Sequence, residues 1–151
     1  MEQILRGPWN QRQIDTYLSA SSFPLRLSCV GADGFPRIAS LWYRYEAGEI
    51  FCVTHCRSTM ALLLQADGRV GFEISPNEPP YHGVRGQGRT TLYPLDKASL
   101  LEGLLEHYLG DTKSGLATWL LKRSDEEVVI NISPTRLYSW DYRDRMANTK
   151  L

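Results

Sequence analysis

The sequence predicts a small β-barrel, closed or half-closed, with helices packed on its outside. Three observations lead there. About six or seven short runs rich in β-branched and aromatic residues recur along the chain. Hairpin-length turn signals, such as Ala32-Asp33-Gly34 and Glu46-Ala47-Gly48-Glu49, join them, and short connections make neighbouring strands antiparallel. Helical spacing of apolar residues is confined to a few segments between those runs, so the helices flank the sheet.

Taken in order, the first helix begins after Trp9. Asn10 is placed to cap it, Gln13 to reach back as in a capping box, and Trp9 stands at the staple position. Ile14, Tyr17 and Leu18 then share one face over residues 10–19, and the stretch up to Pro24 ends the helix. Residues 25–30 are a short strand. Residues 38–45 are a longer one with apolar groups at odd and even positions, which predicts cover on both faces; Pro36 suits its edge. Residues 50–54 form a strand, 60–65 a short helix that is apolar all round, and 69–75 a returning strand after the turn at Ala66-Asp67-Gly68.

Pro76, Pro79 and Pro80 make the next segment a loop. Residues 81–93 read as a strand with Val84, Gly86, Gly88, Thr90 and Leu92 on one face and Arg85, Gln87, Arg89, Thr91 and Tyr93 on the other. Its glycines suggest a bulge or the close approach of another backbone or ligand. No helix begins after them, so they are not a dinucleotide fingerprint. Asp96 is placed to cap a helix carrying Leu101, Leu105, Tyr108 and Leu109, which Gly110 closes. A second helix covers 114–122 and bears Trp119. A strand over 127–133 is predicted to break at Pro134, a last strand covers 137–142, and the polar tail 143–151 is predicted to be loose. One domain accounts for residues 1–151, with no repeat or linker.

Composition narrows the function. Seventeen basic and seventeen acidic residues balance, so no overall field draws in nucleic acid or an anionic membrane. No apolar run approaches spanning length and the first residues are too polar for a secretory signal, which predicts a cytoplasmic protein. Three cysteines, Cys29, Cys52 and Cys56, do not make a disulfide framework and fit a reducing compartment. Cys52, His55 and Cys56 lie close together, but zinc wants four ligands and no second pair appears, so no metal site is expected.

The stretch from residue 50 to 75 carries the most chemistry. Between its first strand and its short helix stand Thr54, Arg57, Ser58 and Thr59: one guanidinium and three hydroxyls at a helix start. Two readings stand. They form an anion pocket in which backbone N–H groups, the helix dipole, hydroxyls and Arg57 meet a phosphate, or Ser58 caps the helix and Arg57 is solvated.

At this point the order of motifs resembles a known family. The phrase Ala32-Asp33-Gly34-Phe35-Pro36, the strand Ile38-Ala39-Ser40-Leu41-Trp42, the strand ending at Thr54, the helix leading into Gly68-Arg69-Val70, the strand Gly83-Val84-Arg85-Gly86-Gln87-Gly88 and the segment Pro134-Thr135-Arg136-Leu137-Tyr138-Ser139-Trp140 recur in one order. Together they resemble the pyridoxamine 5′-phosphate oxidase-like superfamily of flavin-binding split barrels, over residues 19–142. The resemblance implies a six-stranded Greek-key split β-barrel that forms a homodimer, with FMN in two clefts between subunits. Some branches take the deazaflavin F420 and some haem, for which His55 would be the ligand.

Carried over by position, Ala39, Ser40, Leu41 and Trp42 would line the flavin ring. Val53 and Thr54 would meet the ribityl-phosphate end, and Arg57, Ser58 and Thr59 would surround the phosphate. Arg85 and Gln87 would approach the cleft, and Trp140 would cover the ring from the second subunit. The implied activity is hydride transfer at the flavin, with a reduced nicotinamide, NAD(P)H, as a possible donor and a small molecule as substrate. No acid or base stands out, which suits chemistry carried by a cofactor. One departure is chemical: Thr59-Met60 stand where relatives that hold flavin tightly often have Arg-Lys, so two cations are missing from the phosphate end.

Overall fold

The computed structural model describes residues 3–95 and 99–147. Its strands are β1 (Ile4–Arg6), β2 (Leu25–Val30), β3 (Pro36–Leu41), β4 (Tyr43–Glu46), β5 (Glu49–His55), β6 (Arg69–Ile74), β7 (His82–Pro94) and β8 (Glu127–Asp141). The helices are α1 (Gln11–Ala20), α2 (Thr59–Ala66), α3 (Ser99–Leu109), α4 (Gly115–Lys122) and α5 (Arg143–Ala147). The strands form one sheet in the order β3-β2-β6-β7-β8-β5-β4, with β1 added parallel to β8 and every other pair antiparallel. The two ends of that order, β3 and β4, are successive in the chain and separated only by Trp42. The sheet therefore curls round until its edges meet through the backbone rather than through a ladder. Counting β3 and β4 as one bent strand, and setting the short β1 aside, the barrel has the six strands expected.

The residues chosen for each element explain it. Asn10 Oδ1 accepts from the Gln13 N–H and Gln13 Oε1 from the Asn10 N–H, each at 2.9 Å, so the predicted capping box is present. Ile14 and Leu18 then enter the barrel core with Leu25, Leu27, Ile50, Ile74, Val84, Ile130, Ile132 and Leu137, all essentially without solvent exposure. Ala47 and Gly48, both at positive φ, turn β4 into β5. A bulge does fall beside the glycines of β7, but on the neighbouring strand: Gln87 faces Arg136 and Gly88 faces Pro134, so Thr135 of β8 is the extra residue. Gly86 is obligatory, because a Cβ there would lie 2.5 Å from the Arg136 carbonyl oxygen and 2.7 Å from the Phe72 ring.

Three expectations need correction. β8 does not break at Pro134 but runs on to Asp141. Pro134 falls where β8 exchanges one neighbour for another: β5 pairs with it up to Ile132 and β1 from Arg136, while on the other side it faces Gly88 of β7 next to the bulged Thr135. Between Ile132 and Arg136 neither β5 nor β1 asks for an N–H on that edge. The outer face of the strand predicted over 38–45 is not covered within the chain: Ile38 is 73% and the neighbouring Phe35 70% exposed, because no helix among the described residues lies over that end of the sheet. The start of the tail is not loose. α5 occupies 143–147, anchored where Arg143 donates to Asp141 at 2.6 and 2.9 Å. The expected cap Asp96 lies outside the described residues.

A second, smaller apolar cluster joins α3 and α4: Leu101, Leu105 and Ala117, with Trp42, Leu95, Leu109, Leu120 and Leu121 against them. Ser114 Oγ caps α4 by accepting from the Ala117 N–H, and Gly110 at φ +80° ends α3. This helical pair stands outside the barrel, against the place where the sheet's two ends meet. Among the described residues no helix is long and apolar enough to cross a membrane.

Candidate functional site

Trp42 interrupts the pairing between β3 and β4, and its ring stacks on Tyr108 of α3, centroids 5.3 Å apart and planes 7° from parallel. Tyr108 is fixed in turn, its hydroxyl meeting the Tyr43 N–H at 3.2 Å and the Phe23 carbonyl at 3.2 Å. Beside this stack lies a cavity of about 320 Å³ lined by Ser40, Leu41, Trp42 and Val53 of the sheet, Leu101, Leu104, Leu116 and Leu120 of α3 and α4, and Glu127. Its walls are apolar except for the Ser40 hydroxyl and the Glu127 carboxyl. Burial pushes that carboxyl upward, opposed by His55 and Arg123.

One residue beyond Val53 the chain reaches the start of α2. Thr54 Oγ1 donates to Ser58 Oγ at 2.9 Å, and Ser58 Oγ accepts from the Ala61 N–H at 3.1 Å as the helix N-cap. His55 is held at both ring nitrogens, Nε2 by Glu126 at 3.2 Å and Nδ1 by the Arg57 N–H at 3.0 Å. Hydrogen bonding to His55 keeps the Glu126 carboxyl below its ordinary range, with Arg123 and Arg57 adding to the effect. The Arg57 guanidinium is exposed and makes no hydrogen bond or ion pair among the described residues. Ser58 thus caps the helix, as the blander reading held, while Arg57 and the first N–H groups of α2 remain available to an anion.

The structure gathers some of the expected site residues and separates others. Ser40, Leu41, Trp42 and Val53 share the cavity, and Thr54, Ser58 and Thr59 lie together at the α2 start with Arg57. Ala39 packs against the barrel core. Arg85 lies on the outer face of the sheet over Tyr138, 4.5 Å from its ring centroid, and 5.5 Å from that of Trp140. Gln87 lines a different groove. None of Arg85, Gln87 and Trp140 lines the cavity of its own chain. The leucines of α3 and α4 and Glu127 were missed. Their helical spacing was visible, but not which part of the sheet they would roof.

No family model and no curated protein matches the chain. Solved structures do. A conserved hypothetical protein from Mycobacterium tuberculosis superposes with a TM-score of 0.76 at 22% identity, covering 97% of this chain and 93% of that one. An F420 reductase gives 0.70 at 17%, covering 86% and 97%. A Listeria innocua protein named for pyridoxamine 5′-phosphate oxidase gives 0.65 at 18%, covering 85% and 95%. The fold is the split barrel. The split is the seam at Trp42, where the sheet order ends on both sides, and the roofed cavity of this split barrel opens on that seam.

Proposed function

We propose that the chain is a homodimeric flavin-type oxidoreductase acting on a small molecule in the cytoplasm, with FMN as the favoured cofactor and F420 as the alternative. The observation that carries this reading is a juxtaposition. An apolar cavity with a flat aromatic wall at Trp42 lies one residue along β5 from a helix start bearing an unpaired guanidinium. A planar ring and a phosphate, covalently joined, ask for those two surroundings side by side.

The residues present fit such a group. Arg57, with the free N–H groups of α2, would meet the phosphate, and the Ser40 hydroxyl a polar ring edge. Trp42, held flat by Tyr108, would lie beside the ring, while Leu101, Leu104, Leu116 and Leu120 exclude water. When bound, the cofactor supplies hydride transfer, and NAD(P)H suits the role of donor. Glu127 is the side chain of the cavity lining able to hold or release a proton. Haem fits less well, because both ring nitrogens of His55 are already engaged. A second copy suits the bare outer face at Phe35 and Ile38, and would bring its own Trp140 towards the cleft.

The deciding experiment is a visible spectrum of the purified protein followed by titration of the apo form with FMN, F420 and haem. Saturable flavin binding that collapses in Arg57→Ala supports the reading. A colourless protein indifferent to all three makes it instead a cofactor-less dimeric binding protein, the outcome that Thr59-Met60 would favour. Sedimentation tests the dimer separately.

A further inference from the structure

A second concave site lies on the outer face of the sheet, away from Trp42. It is a groove of about 350 Å³ running over β2, β6 and β7, lined among others by Ser28, Gly71, Gln87, Arg69, Arg89 and Thr135. The pairing register places Ser28, Gly71 and Gln87 in one row across the three strands. In the adjacent row Arg69 stands directly opposite Arg89. Like charges opposite each other on one face destabilise a sheet, so their presence calls for a counter-charge.

Half of it is there. Asp67 holds Arg69 through Nε at 3.0 Å and Nη2 at 2.7 Å. Its carboxyl is lowered to about 2, chiefly by that bonding, with a smaller contribution from Arg89. Arg89 has no hydrogen bond or ion pair of its own among the described residues. The same is true of the Ser28 hydroxyl and the Gln87 side-chain amide. Three donors, one of them charged, therefore border one groove without partners.

The floor is also unusual. Gly71 is at an ordinary extended φ, and a Cβ built there would meet nothing closer than the Gly86 carbonyl oxygen at 3.8 Å. Neither backbone conformation nor packing requires glycine at this position, in contrast to Gly86. A bare position inside a strand leaves room for something to approach the backbone closely. Val30 and Pro36 supply an apolar wall on the β2–β3 side.

We propose that this groove binds the oxyanion of a small organic acid or phosphate ester. Arg89 supplies the charge, Ser28 and Gln87 supply neutral donors, and the body of the ligand lies over Gly71 against Val30 and Pro36. The bound oxyanion completes the charge balance that Asp67 leaves half finished. The site is independent of the cofactor reading, since none of these six residues lines the Trp42 cavity.

The test is an amide chemical-shift titration of the ¹⁵N-labelled protein with inorganic phosphate and, separately, with benzoate. Either probe should shift Gly71, Gln87, Gly88 and Arg89 saturably. A response to benzoate alone assigns a carboxylate with an apolar body, and a response to phosphate assigns a phosphate group. Arg89→Gln should weaken binding about tenfold or more, as expected for loss of a charge-assisted bond. Gly71→Val should abolish it while leaving the fold intact, because the added atoms enter open space. Arg57→Gln should leave these shifts unchanged.

No saturable shift with either probe up to tens of millimolar overturns the proposal. So do shifts centred on residues 57–60, or shifts indifferent to Arg89→Gln. If Gly71→Val changes the sedimentation coefficient while the probes leave the groove unmoved, the face belongs to a second copy and the proposal fails.

Discussion

Ser58 is asked to do two things at once: cap α2 and sit beside the proposed phosphate. Two substitutions separate those roles. Ser58→Ala removes the acceptor of the Ala61 N–H and leaves the Thr54 hydroxyl without the partner it now has at 2.9 Å. Loss of an N-cap costs about 1 kcal/mol and loss of the half-buried hydroxyl bond about 0.5–1 kcal/mol, so a destabilisation of ~1.5–2 kcal/mol is expected. For a chain of this size that lowers Tm by roughly 3–8 °C. Ser58→Asp keeps an acceptor for both groups and suits the positive end of the helix, so its stability should stay within about 0.5 kcal/mol of the parent. It places a negative charge where the phosphate would lie, however, and FMN affinity should fall about tenfold or more. Urea unfolding and a fluorescence titration with FMN measure the two effects. If Ser58→Asp is as unstable as Ser58→Ala, the capping account is wrong. If it binds FMN as tightly as the parent, the phosphate does not lie at α2.

Three further outcomes follow from the same geometry. Leu105→Ala should cost about 2–5 kcal/mol by chemical denaturation, since Leu105 is wholly buried between α3, α4 and Trp42 and its loss leaves a void; flavin affinity should fall with it as the cavity roof loosens. Gly86→Ala should be destabilising by about 2 kcal/mol or more, because its Cβ meets backbone 2.5 Å away, whereas Gly71→Ala should be neutral or stabilising by about 0.5 kcal/mol; thermal melts of the pair compare them directly. Glu127 has a raised carboxyl pKa, so its stabilising contribution is complete below the unfolded value and disappears as pH rises through the folded one. Its ionised form adds a negative charge to the cavity next to the proposed phosphate end, beside Glu126 and offset by His55 and Arg123. FMN affinity should therefore decline as pH rises through that range. Glu127→Gln should flatten the profile, and an unchanged slope would remove Glu127 from the site.

Much of the architecture could be read from residue types because local signals agreed with the final packing. Asn10 and Gln13 announced α1, Ala47-Gly48 the β4–β5 turn, and the glycines of β7 the place of the bulge, though its extra residue, Thr135, is on β8. Pro134 misled, because a proline looks the same in sequence whether or not a ladder needs its N–H. Only the exchange of β5 for β1 beside it makes the difference. The half of the site on β3 and β5 was legible through strand positions. The roof was not, because spacing identifies an apolar helix face but not the surface it will cover. Arg85 and Gln87 alternate correctly onto one face of β7, yet that face looks away from the cavity of the same chain.

The junction at Trp42 has a mechanical consequence. A sheet that meets itself only through one residue has no hydrogen-bonded zip along that line, so breathing motions should concentrate there. Anything wedged beside the indole touches β3, β4 and β5 together and acts as a clasp. Amide hydrogens in the hairpins on either side of the junction should then exchange more slowly, in step, when the cavity is filled.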